Sequence, residues 1–418
     1  MIFQNRTFRY LFMSYGVSLL GTCFSTIAVN LWILQTTGSA RLMFLFFLTS
    51  LLVTICFGSI AGTVADRYNR RTIMWAGDLC NAAIAGTIAV CMYMKFTPYP
   101  LIIAVCALQV FVGLFHQPAF QASLSSILEK ELIPKAMGAI TIVDNIARIL
   151  GLAAGGTIVG FFGAATAFVF DAATYLISSL LVLAAGTFPV IVRQKQQKEV
   201  PAEKQSFLAD FQEGLRVLWG EPFARSFMIM MPLVASFFMM SLMMIQVSAV
   251  KIWHASPLQF GLMEACVPFG YIIGSGLLMK YDSRLVKRGY WIFAGFLSLG
   301  PIYLVISQVT GMNQAFPIIF VLGFMFALCT LLMNVALRME IPHEVQGRAF
   351  GMIGTLTSPI MTIAIGIATY FSDRMGPQPV LVASGLLLTA VAVLLTIVLK
   401  PLRTYRAEEK EQKAYEIG

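Results

Sequence analysis

The chain has 418 residues, of which 58% are hydrophobic and only 12% are charged. Soluble domains carry about 25% charged residues, so this composition excludes a soluble protein and predicts a chain that lies in the bilayer. The formal net charge is +9, but the positions of the basic residues, described below, are those of a membrane protein and do not require a nucleic-acid partner.

Twelve apolar segments of membrane-spanning length follow one another along the chain. Each can cross a hydrocarbon core of about 30 Å at about 1.5 Å per residue. Only helices satisfy their own backbone hydrogen bonds in lipid, so the sequence predicts an all-α membrane protein. The only turn signal between spans five and six lies at Gly160 to Gly163. The predicted spans are residues 10–35, 42–65, 72–94, 99–126, 137–162, 165–188, 225–250, 258–280, 287–309, 314–337, 349–371 and 378–399.

The distribution of positive charge predicts the orientation of these spans. With both termini in the cytoplasm, 24 of the 29 Lys and Arg residues fall in cytoplasmic loops and tails, and Arg148 lies within a span. Such an asymmetry is typical of the positive-inside rule. The four that would lie outside are Arg41, Lys95, Lys251 and Arg374.

Composition also predicts four regions. They are a six-helix bundle at 1–190, a cytoplasmic linker at 191–222, a second six-helix bundle at 223–400 and a cytoplasmic tail at 401–418. Apolar residues between Phe207 and Trp219 recur at helical spacing among charged ones. This pattern predicts an amphipathic helix on the inner membrane surface, with a plain connector as the alternative.

Short internal sequence repeats relate the two predicted bundles. Asp66 after span two corresponds to Asp282 after span eight at an offset of 216 residues, and Glu131–Gly138 corresponds to Glu344–Gly351 at an offset of 213. Internal repeats of this kind are typical of secondary transporters, whose substrate sites lie near the midplane between the repeats. The sequence therefore predicts two related six-helix bundles with both termini on one side.

The loop after span two carries a motif made of a small residue in a helix, an acid at the helix end and a basic turn. It reads Gly62-Thr-Val-Ala-Asp66-Arg67-Tyr68-Asn69-Arg70-Arg71. The run resembles the signature loop of the major facilitator superfamily, G-x-L-a-D-r-x-G-r-k. Val64 replaces Leu and Asn69 replaces the second Gly. Because Asn tolerates the left-handed conformation better than most residues, we expect the turn to survive.

This resemblance implies the major facilitator fold and a gating role for the loop, which in that superfamily helps to lock the cytoplasmic gate. The implied contact joins Asp66 to the N-terminal end of span eleven near Ala349, as the helix dipole would favour. A charge cluster that serves only membrane topology is the alternative. The implied gating residues are Gly62, Asp66, Arg67, Asn69, Arg70 and Arg71.

Other segments are similar to one branch of the superfamily, the drug and siderophore exporters that include macrolide-efflux and enterobactin-exporter proteins. Gly151, Gly155 and Gly156 in span five resemble the Gly-Pro-rich exporter motif of that branch, with alanine where a proline is usual. The resemblance implies export of a siderophore or an amphiphilic drug such as a macrolide, by proton antiport and alternating access. The similar segments are Asn5–Arg9, His116–Ala119, Arg148–Gly156, Phe170–Ala172 and Phe207–Trp219.

Ionisable residues inside spans cost about 2.5–3.5 kcal/mol each on insertion scales, so each needs an explanation. Asp144 and Arg148 lie four residues apart in span five and can pair on one helix face. Arg148 is close to the middle of its span, where a substrate would bind. We therefore expect a role in substrate binding or coupling, with an internal salt bridge that only makes the helix insertable as the alternative.

Three further residues are candidates for proton coupling. Asp171 in span six and Glu264 in span eight each lie about two turns below the predicted outer surface. A carboxyl group in such surroundings favours its neutral form, which suits a protonatable switch. Asp171 could instead hold helix contacts. His116 in span four could titrate near neutral pH, or be a hydrogen-bonded packing residue. For Asp78 in span three, we expect structural pairing with Arg70 or Arg71.

Several functional classes have no support in the sequence. There is no G-x-x-x-x-G-K-[ST] phosphate loop, and the seven cysteines have no metal-ligand spacing. We expect no enzyme activity, no metal and no cofactor, with the proton gradient as the driving force. The expected partners are a small-molecule substrate, protons and membrane lipids, for a monomer in the bacterial cytoplasmic membrane. A lipid flippase or an uncoupled facilitator of the same fold is the alternative.

Overall fold

The computed structural model describes residues 2–186, 219–220, 222–281, 285–341 and 343–406. Within these ranges all regular secondary structure is helical, which confirms the predicted all-α class, and twelve helices are long and apolar enough to cross a membrane. They are α1 (Arg6–Thr37), α2 (Ala40–Arg67), α3 (Arg70–Tyr93), α4 (Tyr99–Ile127), α5 (Ile133–Phe162), α6 (Ala164–Ala184), α7 (Pro222–Lys251), α8 (Pro257–Lys280), α9 (Arg288–Ser307), α10 (Met312–Glu340), α11 (His343–Met375) and α12 (Pro377–Val398).

The helix boundaries follow from local capping chemistry. The side chains of Asn5 and Ser39 accept hydrogen bonds from backbone N–H groups in the first turns of α1 and α2. The boundary between spans five and six lies at Gly163, within the predicted turn, and its φ of 85° is a conformation that favours glycine. Gly376 joins α11 to α12 with a φ of 87°. These two junctions are 213 residues apart, the same offset as the internal repeat of Glu131–Gly138 at Glu344–Gly351.

The chain forms two compact units, which consist of Met1–Gln194 with Ala255–Ala265, and of Lys195–His254 with Cys266–Gly418. In the first unit, α1 packs on α5 and α6, while α3 packs on α4 and α6. In the second, α7 packs on α11, and α9 packs on α10 and α12. The predicted helix between Phe207 and Trp219 lies almost wholly outside the described residues, as does most of the predicted tail. The orientation of the termini stays a prediction.

Glycines allow close helix crossings in the second unit. A Cβ atom on Gly270 of α8 would overlap the carbonyl oxygen of Phe320 in α10, and one on Gly323 would overlap the carbonyl oxygen of Val267. Small residues at such crossings let helix backbones approach, and this close packing is a main source of helix association in lipid. Gly270 and Gly323 therefore allow α8 and α10 to pack backbone to backbone.

Replacing Gly270 by alanine is expected to destabilise the protein by about 1–3 kcal/mol, because the added methyl group meets backbone that cannot rotate away. Gly276→Ala on the same helix is the matched control, since its Cβ atom would meet nothing within 4 Å. The two variants are compared by their thermal unfolding in detergent, monitored by size-exclusion chromatography after heating. Equal midpoints for Gly270→Ala and Gly276→Ala would contradict the proposed crossing.

Candidate functional site

The predicted pair in α5 is present and has a third member. Arg148 Nε lies 2.9 Å from Asp144 Oδ2, and the Tyr15 hydroxyl donates to Asp144 Oδ1 at 2.8 Å. Arg148 is near the middle of α5, and about half of its side chain is exposed. The carboxylate is therefore held by a cation on its own helix and a phenol on α1, while the two NH₂ groups of the guanidinium have no hydrogen-bond partner in the part of the chain that the structure describes.

Close packing of α1 on α5 explains how Tyr15 reaches Asp144. A Cβ atom on Gly151 would lie 2.6 Å from Cys23 Cβ, and one on Gly155 would lie 3.1 Å from Phe24 Cα. The glycines of the exporter-like segment thus allow the two backbones to meet one turn or two beyond Arg148. They position the Arg148 pair against α1.

Asp171 of α6 is fully buried. Gln109 Nε2 of α4 donates to its Oδ2 at 2.9 Å. Its Oδ1 has no hydrogen-bond partner in the described part of the chain and points toward Gly21 of α1. A buried acceptor without a partner costs about 1–3 kcal/mol, so a proton or a donor group bound at Oδ1 would remove that cost.

A mainly apolar cavity of about 200 Å³, with a few polar groups in its lining, lies beside Asp171 in the first unit. Gln109 and Tyr175 line it, and the Tyr175 hydroxyl is 3.0 Å from the hydroxyl of Thr22. Hydroxyl and amide groups facing a cavity between otherwise apolar helices can bind a polar group of a ligand. The lining residues are Thr22, Ser25, Thr26, Val29, Phe46, Cys106, Gln109, Val110, Gly113, Phe168 and Tyr175.

His116 belongs to a separate buried cluster. His116 Nε2 lies 3.6 Å from Asp78 Oδ2, the Ser178 hydroxyl donates to the same oxygen at 2.5 Å, and Ser14 Oγ lies 2.7 Å from Ser178 Oγ. The imidazole also stacks on Phe120. These contacts join α1, α3, α4 and α6, so the cluster holds four helices of the first unit together.

The predicted pairing of Asp78 with Arg70 or Arg71 is wrong. Arg70 donates to the Ala122 carbonyl and the Ser126 hydroxyl, both at 2.7 Å. Arg71 donates to the Leu183 carbonyl at 2.6 Å. Because seven residues of helix separate Arg71 from Asp78 by about 10 Å, the guanidinium satisfies the nearer carbonyl at the end of α6 instead.

Replacing Asp78 by alanine is expected to lower stability by about 1–3 kcal/mol, because the Ser178 hydroxyl loses its buried acceptor and the His116 imidazole loses the carboxylate 3.6 Å away. Thr87→Ala is a matched control on α3, since that exposed hydroxyl bonds only to its own helix at the Ala83 carbonyl. Thermal unfolding of the two purified variants measures the difference. A midpoint for Asp78→Ala equal to that of Thr87→Ala would show that the cluster has no structural role.

The signature-like loop has a different local structure from the one expected. Asn69 has a φ of −64° and caps α3, because its side chain accepts from the N–H groups of Arg71 and Thr72. The expected left-handed turn at Asn69 is therefore wrong, and the substitution replaces a glycine turn with an N-cap. Gly62 has open space around its Cα, and Arg67 is exposed. The side chains of Asp66 and Ala349 lie outside the described residues.

Glu264 lies on α8, in the segment Ala255–Ala265 that groups with the first unit. This segment meets α5 closely, since a Cβ atom on Gly156 would lie 2.7 Å from Gly261 Cα. The Glu264 side chain is partly buried. Glu264 does not line the cavity beside Asp171.

Of the predicted candidates, Asp144 and Arg148 form one site, Asp171 lies beside the cavity that Gln109 and Tyr175 line, and His116 lies in the Asp78 cluster. The interpretation from sequence missed Tyr15, Thr22, Gln109 and Tyr175 as partners of these groups. The only sequence signal for such partners is a polar side chain in an apolar span. Gln109 is the one of the four that this signal clearly marks, because Tyr and Thr are common in membrane helices. Among the described residues, the arrangement offers a guanidinium with unused donors, and a buried carboxyl group next to a cavity that has hydroxyl and amide groups in its lining.

Comparison with known families identifies relatives over nearly the whole chain. The model of the family described as transmembrane secretion effector matches residues 2–416. Macrolide efflux protein A of Streptococcus pyogenes is 23% identical over 390 residues, which cover 90% of this chain and 92% of the relative. Enterobactin exporter EntS of Shigella boydii is 25% identical over 421 residues, which cover 96% of this chain and 93% of the relative.

Solved structures share the fold. A bacterial homologue of the human lysosomal transporter Spinster matches with a TM-score of 0.71 at 12% identity, covering 98% of this chain and 99% of the other. The nucleoside transporter NupG matches with a TM-score of 0.67 at 14% identity, covering 96% of this chain and all of the other. At these identities the similarity shows the fold alone.

Proposed function

Because the chain belongs to the transmembrane secretion effector family of the major facilitator superfamily, we propose that it exports a small amphiphilic organic molecule in exchange for protons. The efflux and exporter names of its relatives support the direction of transport. They also support a substrate such as a macrolide or a siderophore. The chain is a multi-pass membrane protein, and we place it in the bacterial cytoplasmic membrane.

The observation that carries this proposal is the fully buried carboxyl group of Asp171, which Gln109 links to a cavity with hydroxyl and amide groups in its lining. In a transport cycle, Asp171 takes up a proton in one state and releases it in another, as its surroundings alternate between water and protein. Binding of substrate and binding of a proton favour different states, so each drives the other. This is the coupling that an antiporter needs.

Arg148 and the signature-like loop take the two remaining roles. Arg148 presents guanidinium donors at the middle of α5, which suit an oxygen-rich or anionic group of the substrate. The loop that contains Asp66 gates access from the cytoplasm during alternating access. The His116 and Asp78 cluster stabilises the helices without exchanging protons, and Glu264 is the second carboxyl group available for coupling.

Proton-driven export is tested in a bacterial host that lacks its own efflux pumps. Cells that produce the protein are expected to retain several-fold less radiolabelled erythromycin than cells with empty vector, because export opposes entry. A protonophore is expected to remove the difference. Erythromycin retention that is unchanged by the protonophore would contradict proton coupling and favour an uncoupled facilitator.

A lipid flippase of the same fold makes the opposite prediction in liposomes. Purified protein would then transfer a fluorescent phospholipid between leaflets, whereas the proposed exporter leaves the rate of transfer at the level of empty liposomes. Dithionite quenching of the labelled lipid measures the transfer.

A further inference from the structure

Gln109 stands between the buried acid and the cavity. Its amide nitrogen donates to Asp171, and its side chain lines the cavity, whereas Asp171 does not. Tyr175 and Thr22 line the same cavity, and the Tyr175 hydroxyl is a hydrogen-bond neighbour of the Gln109 amide. A ligand in this cavity therefore contacts the amide of Gln109 and not the carboxyl group of Asp171.

A side-chain amide has a donor end and an acceptor end, and its neighbours decide which end faces which way. An ionised Asp171 can only accept, so it binds the NH₂ group of Gln109 and leaves the amide oxygen for the cavity. A protonated Asp171 can donate to that oxygen, which allows the amide to turn and present its NH₂ group to the cavity. The two protonation states thus give the cavity opposite hydrogen-bonding character.

We propose that Gln109 transmits the protonation of Asp171 to the cavity, which binds an ammonium group of the substrate, a donor that cannot accept, only while Asp171 is ionised. Proton uptake then replaces the acceptor by a donor and expels that group. Proton and substrate compete without sharing a contact. This inference rests on the proposed proton-coupled export and names the substrate group that the cavity binds.

Asp171 is the group whose charge changes with pH in this region, because its titratable neighbours are neutral at neutral pH. The titratable side chains near it are Cys23 on α1, Cys106 on α4 and Tyr175 on its own helix. The Ser25 hydroxyl also lies nearby. None of these carries charge at neutral pH in its ordinary state. In the described part of the chain, no Lys, Arg or His side chain forms an ion pair with Asp171.

The first experiment needs no substrate. Infrared difference spectra between pH 5 and pH 8, recorded on the purified protein in nanodiscs, are expected to contain a C=O band from protonated Asp171. Asp171→Asn removes this band. Gln109→Leu shifts it to higher wavenumber, because the carboxyl group loses its hydrogen-bond partner. Gln121→Leu, an exposed position on the same helix, leaves it unchanged. A band that Gln109→Leu does not move would overturn the inference.

The second experiment measures export of erythromycin, whose amine is protonated near neutral pH and supplies the ammonium group. Gln109→Leu is expected to reduce proton-dependent export by about tenfold or more, the equivalent of one hydrogen bond to a charged group. Gln121→Leu retains wild-type export. Proton-dependent export that survives in Gln109→Leu overturns the inference and leaves the proposed function intact. Wild-type export that ignores the proton gradient contradicts the proposed function, while the infrared experiment still decides whether Gln109 senses Asp171.

Discussion

Replacing Asp171 by asparagine is expected to abolish uphill export while the protein still moves its substrate down a gradient. Asparagine keeps the shape and the hydrogen-bonding capacity at the Gln109 contact but cannot exchange a proton. Each pH unit is worth about 1.4 kcal/mol per proton. A gradient of about two units therefore supports roughly a hundredfold accumulation for one exchanged proton, and we expect the variant to lose all of it.

Asp78→Asn is the matched control for this prediction. Asp78 is also a buried aspartate of the first unit, but its carboxylate binds Ser178 and lies near His116. We expect Asp78→Asn to retain proton-driven accumulation in proteoliposomes. If Asp78→Asn loses accumulation and Asp171→Asn keeps it, the proton site lies in the Asp78 cluster and the assignment to Asp171 is wrong.

The second large effect is expected at the Asp144 and Arg148 pair. Either single leucine variant leaves one charge unpaired near the middle of α5, at a cost of about 2.5–3.5 kcal/mol on insertion scales. A loss of this size reduces the amount of folded protein several-fold or more. The double variant removes both charges and is expected to restore most of the folded protein, because an apolar pair of similar volume is tolerated in such a site.

Export separates the two interpretations of this pair. If Arg148 binds substrate, the double variant is folded but inactive, with export reduced by about tenfold or more, as expected for loss of a charged hydrogen-bond donor. If the pair only makes α5 insertable, the double variant exports as wild type when compared per amount of folded protein. Quantitative fluorescence chromatography and erythromycin retention in the same cells measure the two quantities.

Hydropathy and backbone chemistry were sufficient to predict the helices. Lipid offers no hydrogen-bond partner, so apolar length alone assigns each span. The turn at Gly163 needed only a glycine signal. The Asp144 and Arg148 pair was predictable because both partners lie on one helix, four residues apart. In each case the relevant physics acts within a few residues of sequence.

Contacts between helices could not be predicted in the same way. The partner of Asp171 is Gln109, and that of Asp144 is Tyr15. The Asp144 pairing depends on the rotation and depth of α1 against α5, which Gly151 allows to approach closely. The Asp171 pairing depends in the same way on how α4 packs against α6. The prediction that Asp78 pairs with Arg70 or Arg71 was wrong for the same reason. The position of Arg71 along α3 does not reveal that the Leu183 carbonyl of α6 competes with Asp78 for its guanidinium.

The central claim, that proton exchange at Asp171 drives export, is tested most directly in proteoliposomes with an imposed pH gradient and no membrane potential. Radiolabelled erythromycin and a catechol siderophore serve as probes. The account predicts that at least one probe accumulates above equilibrium, that dissipating the pH gradient with nigericin prevents this, and that Asp171→Asn only equilibrates it. Accumulation that persists in Asp171→Asn, or the absence of gradient-driven accumulation of both probes in the wild type, would contradict the account.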